Sequence, residues 1–222
     1  MTVKQPIVFC DFDGTFTARD VGHGLYRRFS GGGNTELVER WKAGEVSSRE
    51  CLREEAAMMA VTEDEVYRFL DGFPLRKGAE EFYRTTARRG IPFYIVSDGA
   101  DLYIDYILKK NGLQGITYYA NHAFVRDGHF VIEFPYDNDG CARCGCCKGS
   151  RMREIIGSDR SAYTVVFIGD GLSDICALPE ADIVFARGDL LGFCRANGTT
   201  AIEYKSFFDI LRYLNTSGIF TG

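Results

Sequence analysis

What this 222-residue chain lacks is the first guide to it. It has no basic excess: 26 lysines and arginines stand against 31 aspartates and glutamates, a formal net charge of −5. Nucleic-acid binding is therefore a disfavoured class. No stretch approaches the roughly 18 apolar residues of a membrane span. The opening Met1-Thr2-Val3-Lys4-Gln5-Pro6 leads straight into a short apolar run and has no signal-peptide core. A soluble cytoplasmic protein with no membrane partner is expected. Eight cysteines fall well below the roughly 8–10% that marks a disulfide scaffold. Without a secretion signal, reduced thiols are the expectation. Internal repeats and low-complexity tracts are also missing. What is present, 45% apolar and 26% charged residues, is the composition of a folded chain rather than a disordered one. The length suits one large domain or a core carrying an insert; oligomeric state is not legible.

Four short runs share one character: Ile7-Val8-Phe9-Cys10, Phe93-Tyr94-Ile95-Val96, Val165-Val166-Phe167-Ile168 and Ile183-Val184-Phe185-Ala186. Each is continuously apolar and rich in β-branched or aromatic residues, so each reads as a strand buried on both faces. Helical patterns at 79–89 and 102–111 end before Gly90 and Gly112. The alternation predicts an α/β fold: a doubly wound, mostly parallel, Rossmann-like sheet. Between the first two strands the chain is too long for one crossover. Ser47-x-x-Glu50 and Thr62-x-x-Glu65 each look like a capping box opening a helix, and 36–43 looks like another helix. Residues 17–76 thus read as a small helical cap inserted in a core of 1–16 and 77–222, with Gly22, Gly24 and Gly31-Gly32-Gly33 as flexible connections. Asp127-Gly128, flanked by alternating apolar residues, predicts a β-hairpin near 121–135.

The chemistry lies at the strand ends. The first strand runs into Asp11-Phe12-Asp13-Gly14-Thr15, the second into Ser97-Asp98-Gly99, and the third into Gly169-Asp170-Gly171-Leu172-Ser173-Asp174. In an open parallel sheet these carboxyl ends line one ligand crevice, which gathers Asp11, Asp13, Asp170 and Asp174. Four carboxylates repel one another unless a cation neutralises them, and an oxygen-only cluster with open positions favours Mg²⁺. Asp11 can attack phosphorus and form an acyl phosphate. Asp13 can serve as acid for the leaving oxygen and then as base for water, provided its pKa is raised in the site. Thr15, Ser97 and the amides of the glycine turns, Gly99 among them, offer donors to phosphate oxygens. Lys148 can cancel negative charge on the transferring group.

These four motifs in this order resemble the haloacid-dehalogenase superfamily of phosphatases, and the insert resembles the cap of its phosphoserine-phosphatase type. The resemblance spans nearly the whole chain. It implies Asp11 as nucleophile, Asp13 as acid/base, and Ser97 and Lys148 as holders of the phosphoryl group. It further implies Asp170 as an Mg²⁺ ligand with Asp11 and the Asp13 carbonyl, and Asp174 as support for the metal's waters. Asp20 falls near the place where such enzymes set a substrate-contacting acid, and a solvated acid before the cap is its other reading. Cys144-Gly145-Cys146-Cys147-Lys148 and Phe185-Ala186-Arg187 with Leu190-Leu191 and Cys194-Arg195 resemble the 2-hydroxy-3-keto-5-methylthiopentenyl-1-phosphate phosphatases of bacterial methionine salvage. Ser97-Asp98, where those enzymes have Ser-Gly, and Cys141-Ala142-Arg143-Cys144 instead resemble phosphoethanolamine/phosphocholine phosphatases. The expected partner is a small phosphorylated metabolite, with the methionine-salvage enol phosphate first and phosphoserine third. A phosphotransferase and a zinc-dependent binding module are the rival classes.

Cys141, Cys144, Cys146 and Cys147 admit three readings: structural Zn²⁺, a redox pair, or packed thiols shaping the loop before Lys148. Zn²⁺ wants four tetrahedral ligands. Taking all four from seven residues, two of them adjacent, is awkward, so packed thiols are the expectation. His23 is a pocket candidate beside the first motif, His122 and His129 read as structural, and Trp41, Met58 and Met59 read as cap core.

Overall fold

The computed structural model describes residues 4–220; residues 1–3, at the start of the expected core, and 221–222, at its end, lie outside them. A seven-stranded sheet organises the chain in the order β4-β3-β2-β1-β5-β6-β7. Its members are β1 (Gln5–Cys10), β2 (Phe93–Ala100), β3 (Thr117–Arg126), β4 (His129–Glu133), β5 (Tyr163–Gly169), β6 (Ile183–Ala186) and β7 (Ile202–Glu203). All pairs are parallel except β3 with β4. β1 shows why its sequence is continuously apolar: Val8 and Cys10 enter one core cluster, while Ile7 and Phe9 enter the other. Both faces are covered, so period two becomes a solid apolar run. The first cluster packs under α5 (Ala79–Arg88), α6 (Asp101–Lys110) and α9 (Phe207–Thr216), through Phe82, Ile104 and Phe207. The second packs under α7 (Lys148–Ile156) and α8 (Gly188–Ala196), through Met152 and Leu190. The β3–β4 hairpin turns on Asp127 (φ 52°) and Gly128 (φ 76°). That left-handed pair is what an Asp-Gly turn supplies.

Four helices stand between β1 and α5: α1 (Val21–Phe29), α2 (Thr35–Lys42), α3 (Ser48–Ala57) and α4 (Glu63–Leu70). Thr17 and Leu75 form an antiparallel bridge where this segment begins and ends. Both capping boxes form, Ser47 with Glu50 and Thr62 with Glu65. Two expectations fail. Met58, read as cap core, is exposed, and only Met59 is buried there. Gly22 and Gly24 are not flexible connections but lie inside α1, opened by Asp20 as its N-cap. The physical reason is tertiary: a Cβ at Gly22 would meet the Tyr103 hydroxyl at 3.0 Å, and one at Gly24 would meet the Phe73 ring at 2.9 Å. Among the described residues, no helix is long and apolar enough to cross a membrane.

Candidate active site

The turn after β1 carries the first acids. Its sharp path (Phe12–Phe16) is held from behind by Arg76, a buried guanidinium that donates to the carbonyls of Gly14, Thr15 (2.8 Å), Thr17 (3.2 Å) and Ala18 (3.1 Å). Gly14 has φ +70°, and a Cβ there would fall 2.5 Å from Asp170 Oδ2. Glycine is therefore required twice over, by conformation and by space. The same closeness brings the loop after β1 against the loop after β5.

Asp11 is buried, with Oδ1 2.7 Å from Lys148 Nζ; the same ammonium contacts Asp174 Oδ1. Burial works against the Lys148 charge, but Asp11 and Asp174 outweigh it and hold its pKa well above the usual lysine value. Asp174 Oδ2 accepts from the Asp170 and Gly171 amides at 2.8 and 2.9 Å, so both its oxygens are engaged. Asp170 Oδ1 accepts from the Thr15 hydroxyl at 2.8 Å. Carboxylate oxygens of Asp11, Asp170 and Asp174 lie within 4.8 Å of one another. Burial, and then the Asp174 charge, raise the Asp170 carboxyl to about 6. Crowded hard oxygens on the open side of a buried lysine suit a divalent cation such as Mg²⁺.

Asp13 projects the other way, toward the cap. Its Oδ1 accepts from the Val21 and Gly22 amides at the start of α1, at 3.0 Å each. Its Oδ2 accepts from Tyr103 Oη at 2.8 Å and from Ser97 Oγ at 3.4 Å. Burial, followed by the Asp20 charge, raises this carboxyl to about 7 despite the Gly22 and Tyr103 hydrogen bonds. The raised pKa that acid catalysis by an aspartate requires is thus present.

The remaining residues singled out by sequence divide. Ser97 accepts from the Gly99 amide at 3.0 Å and stands beside Asp13. Asp20 caps α1 through the His23 amide (2.8 Å). Thr15 is fully buried and spends its hydroxyl on Asp170 rather than on the open site. Asp98 accepts from the Cys146 amide at 2.8 Å, and Ser48 of the cap and Asn121 also bond its carboxylate. A cavity of about 420 Å³ joins the two halves: Asp11, Asp13, Ser97 and Asp170 line it from the core, and Tyr26, Val38, Trp41, Leu52 and Glu55 from the helical segment. Tyr103, Arg76 and Tyr26 were invisible to sequence reasoning. Each reads as an ordinary core or helix residue, and only the packed chain brings it to the site.

A buried aspartate paired with a buried lysine, a second aspartate of raised pKa, and a carboxylate cluster at the strand ends suit phosphoryl-transfer chemistry. The chain belongs to the haloacid dehalogenase-like hydrolases, whose family model matches residues 8–179, and it is a phosphatase of phosphoric monoesters. It is similar to the 2-hydroxy-3-keto-5-methylthiopentenyl-1-phosphate phosphatase of Bacillus pumilus (strain SAFR-032), with 31% identity over 212 residues, 94% of this chain and 90% of that one. The enzyme of the same name from Lysinibacillus sphaericus (strain C3-41) is 33% identical over 219 residues, 94% and 93% of the two chains. In fold the chain is similar to a phospho-aspartyl intermediate analogue of phosphoserine phosphatase: TM-score 0.73 and 22% identity, covering 95% of this chain and 99% of that one.

Proposed function

We propose that the protein hydrolyses 2-hydroxy-3-keto-5-methylthiopentenyl-1-phosphate, or a close relative of it, through an aspartyl-phosphate on Asp11. The free carboxylate oxygen of Asp11 attacks phosphorus while Lys148 offsets charge on the nucleophile and the phosphoryl oxygens. As the P–O ester bond breaks, protonated Asp13 gives its proton to the leaving oxygen. Asp13, now a carboxylate, takes a proton from water. The water oxygen attacks the same phosphorus, the P–O bond to Asp11 breaks, and inorganic phosphate leaves. Val21, Gly22 and Tyr103 fix Asp13 in the orientation both steps need. Ser97 adds a hydroxyl donor beside it.

Asp11 and Asp170, with the Asp13 carbonyl, would hold Mg²⁺, and Asp174 orients the Asp170 loop through its two amide bonds. When bound, Mg²⁺ supplies positive charge against the phosphoryl oxygens.

One observation carries the substrate reading: the cavity that reaches Asp11 is walled on its helical side by Val38, Trp41 and Leu52. The apolar part of that wall suits a methylthio-alkyl tail, whereas the Trp41 ring and the Glu55 and Asp20 carboxyls of the same cavity are what a cationic head group would meet. Tyr26, whose buried hydroxyl has no hydrogen-bond partner, also lines this wall. The Asp98 carboxylate, which could attract ethanolamine or choline, is instead bound by Cys146, Ser48 and Asn121. The names of the relatives at 31 and 33% identity support the same choice. The test is phosphate release over a panel containing the enol phosphate, phosphoethanolamine, phosphocholine and phosphoserine, ranked by kcat/KM with Mg²⁺, with and without an alcohol acceptor. Preference for phosphoethanolamine would overturn the substrate, and transfer to the acceptor would overturn hydrolysis.

A further inference from the structure

Away from the acids, the densest group of ligand atoms is a set of thiols behind Lys148. The sulfurs of Cys141, Cys144 and Cys147 lie within 4.8 Å of one another. A fourth thiol arrives from elsewhere in the chain. Cys176, on the 3-10 segment Leu172–Glu180, places its sulfur 3.9 Å from that of Cys144 and hydrogen-bonds to Cys147 as well. Cys146 is not part of this group. Its amide faces Asp98, and its side chain is fully buried.

This arrangement removes the geometric objection raised by the sequence. Four thiolates from one seven-residue segment, with 146 and 147 adjacent, cannot surround an ion easily. Three from the loop and one from a facing segment can, with the Cys176 sulfur, which meets Cys144 and Cys147 but lies outside the 4.8 Å cluster, closing on the ion as it binds. Zn²⁺ with Zn–S bonds of about 2.3 Å sets tetrahedral sulfurs ~3.8 Å apart, and the Cys144–Cys176 separation of 3.9 Å has that value. It is far beyond the ~2.05 Å of a disulfide, and all eight cysteines are free. Soft thiolates select Zn²⁺ over Mg²⁺, so the two metal sites would not compete. Cys147 is also the N-cap of α7.

The geometry points to a structural Zn²⁺ centre formed by Cys141, Cys144, Cys147 and Cys176, joining the segment that presents Lys148 to the segment that presents Asp174. Cys147 directly precedes Lys148, and Cys176 lies two residues beyond Asp174. The ion would therefore fasten the backbones of the two residues whose side chains meet in the active site. Those backbones already touch: a Cβ at Gly149 would fall 2.2 Å from the Cys176 carbonyl oxygen. The same loop receives the cap, because Arg49 donates to the Cys144 carbonyl at 3.0 Å and the Ser48 amide to the Arg143 carbonyl at 2.8 Å. Partly exposed Cys141 forms the outer corner.

The experiment reads metal directly. The full chain is expressed with added Zn²⁺, purified under reducing conditions, gel-filtered and assayed for zinc by elemental analysis. About one zinc per chain is expected. Cys176→Ser should lose most of it, whereas Cys146→Ser should keep it. Asp170→Asn should keep it too, which separates this centre from the carboxylate site. Co²⁺ titrated into metal-free wild type should give the intense thiolate-to-metal absorption of a four-sulfur site, so the proposal remains testable if Cys176→Ser does not fold. Wild type that retains no zinc and shows no such absorption would overturn it. Equal zinc loss from Cys146→Ser and Cys176→Ser, or zinc loss from Asp170→Asn, would do the same.

Discussion

Lys148 Nζ lies 2.7 Å from Asp11 Oδ1 with both side chains buried, and it also contacts Asp174 and donates to Ser173 Oγ at 3.1 Å. One ammonium thus balances carboxylates from the ends of β1 and β5. Burial, and then the Asp174 charge, push the Asp11 carboxyl well above its usual value, and the Lys148 charge opposes that rise. Removing one partner of such a group strands charge, which costs far more than the intact pair contributes.

Lys148→Met should therefore destabilise the fold by about 3–5 kcal/mol, read by urea denaturation in the presence of a chelator. Phosphate release should fall by roughly 10²–10³, the scale seen when one charge-stabilising donor is lost. Wild-type stability in this variant would contradict the buried pair.

Asp11→Asn keeps the shape and removes the proposed nucleophile, so hydrolysis should drop by several orders of magnitude while the circular dichroism spectrum persists. Asp13→Asn keeps the nucleophile but removes the base for the second step. With a leaving group good enough to need no acid, such as a nitrophenyl phosphate, phosphoenzyme should accumulate in rapid-quench samples. Slow turnover without phosphoenzyme would argue against the role given to Asp13.

Asp170→Ala should raise the Mg²⁺ concentration needed for half-maximal activity, because one carboxylate leaves a cluster whose oxygens lie within 4.8 Å. Ca²⁺ should inhibit: its larger, looser shell would let Asp11 bind it through both oxygens and lose the line of attack. Full activity in Ca²⁺, or after exhaustive chelation, would count against the metal site.

The acids were legible because their signal is local. Asp11, Asp13, Asp170 and Asp174 follow buried strands, and strand ends in a parallel sheet meet by topology alone. Burial on both faces made β1, β2, β5 and β6 continuous apolar runs. β7, two residues long, left no pattern to read. Tyr103 lies 90 positions from the Asp13 carboxylate it bonds, and in sequence it is one more large residue on α6. Arg76 satisfies carbonyls of a turn about 60 residues earlier, so its role is equally non-local. α1 was missed because Gly22 and Gly24 lower helix propensity, and the packing that demands them comes from Tyr103 and Phe73. Cys176 stands alone in the chain and gains meaning only beside Cys144.

Asp98→Gly tests what the residue does for selectivity. Its carboxylate accepts the Cys146 amide at 2.8 Å and a bond from Ser48, so it ties the Lys148 loop to the strand end and to the cap. Losing a hydrogen bond to a charged group costs about 1.5–3 kcal/mol. The expected result is a similar fall in kcat/KM for the enol phosphate and for phosphoethanolamine. A much larger loss for phosphoethanolamine would mean that Asp98 recognises a cationic head group.

Glu55 of α3 sets a pH dependence of stability that can be isolated. It is buried beside the cavity, and its Oε1 accepts from Asn34 Nδ2 at 2.7 Å. Burial raises its carboxyl to about 7, the Asn34 bond opposes the rise, and the Asp20 charge adds to it. Between roughly 4.5, the unfolded value, and about 7, the folded state holds a proton that the unfolded state has released. Linkage then makes stability fall as pH rises through that window. At 1.36 kcal/mol per unit the full contribution is about 3 kcal/mol, absent below the window and complete above it. Glu55→Gln retains a carbonyl oxygen to accept from Asn34 and has no proton to lose. Its unfolding free energy should match wild type near pH 4.5 and exceed it by up to that amount near pH 8. Comparing variant with wild type in urea at each pH cancels every other titrating group, so parallel curves would show that Glu55 does not titrate in this window.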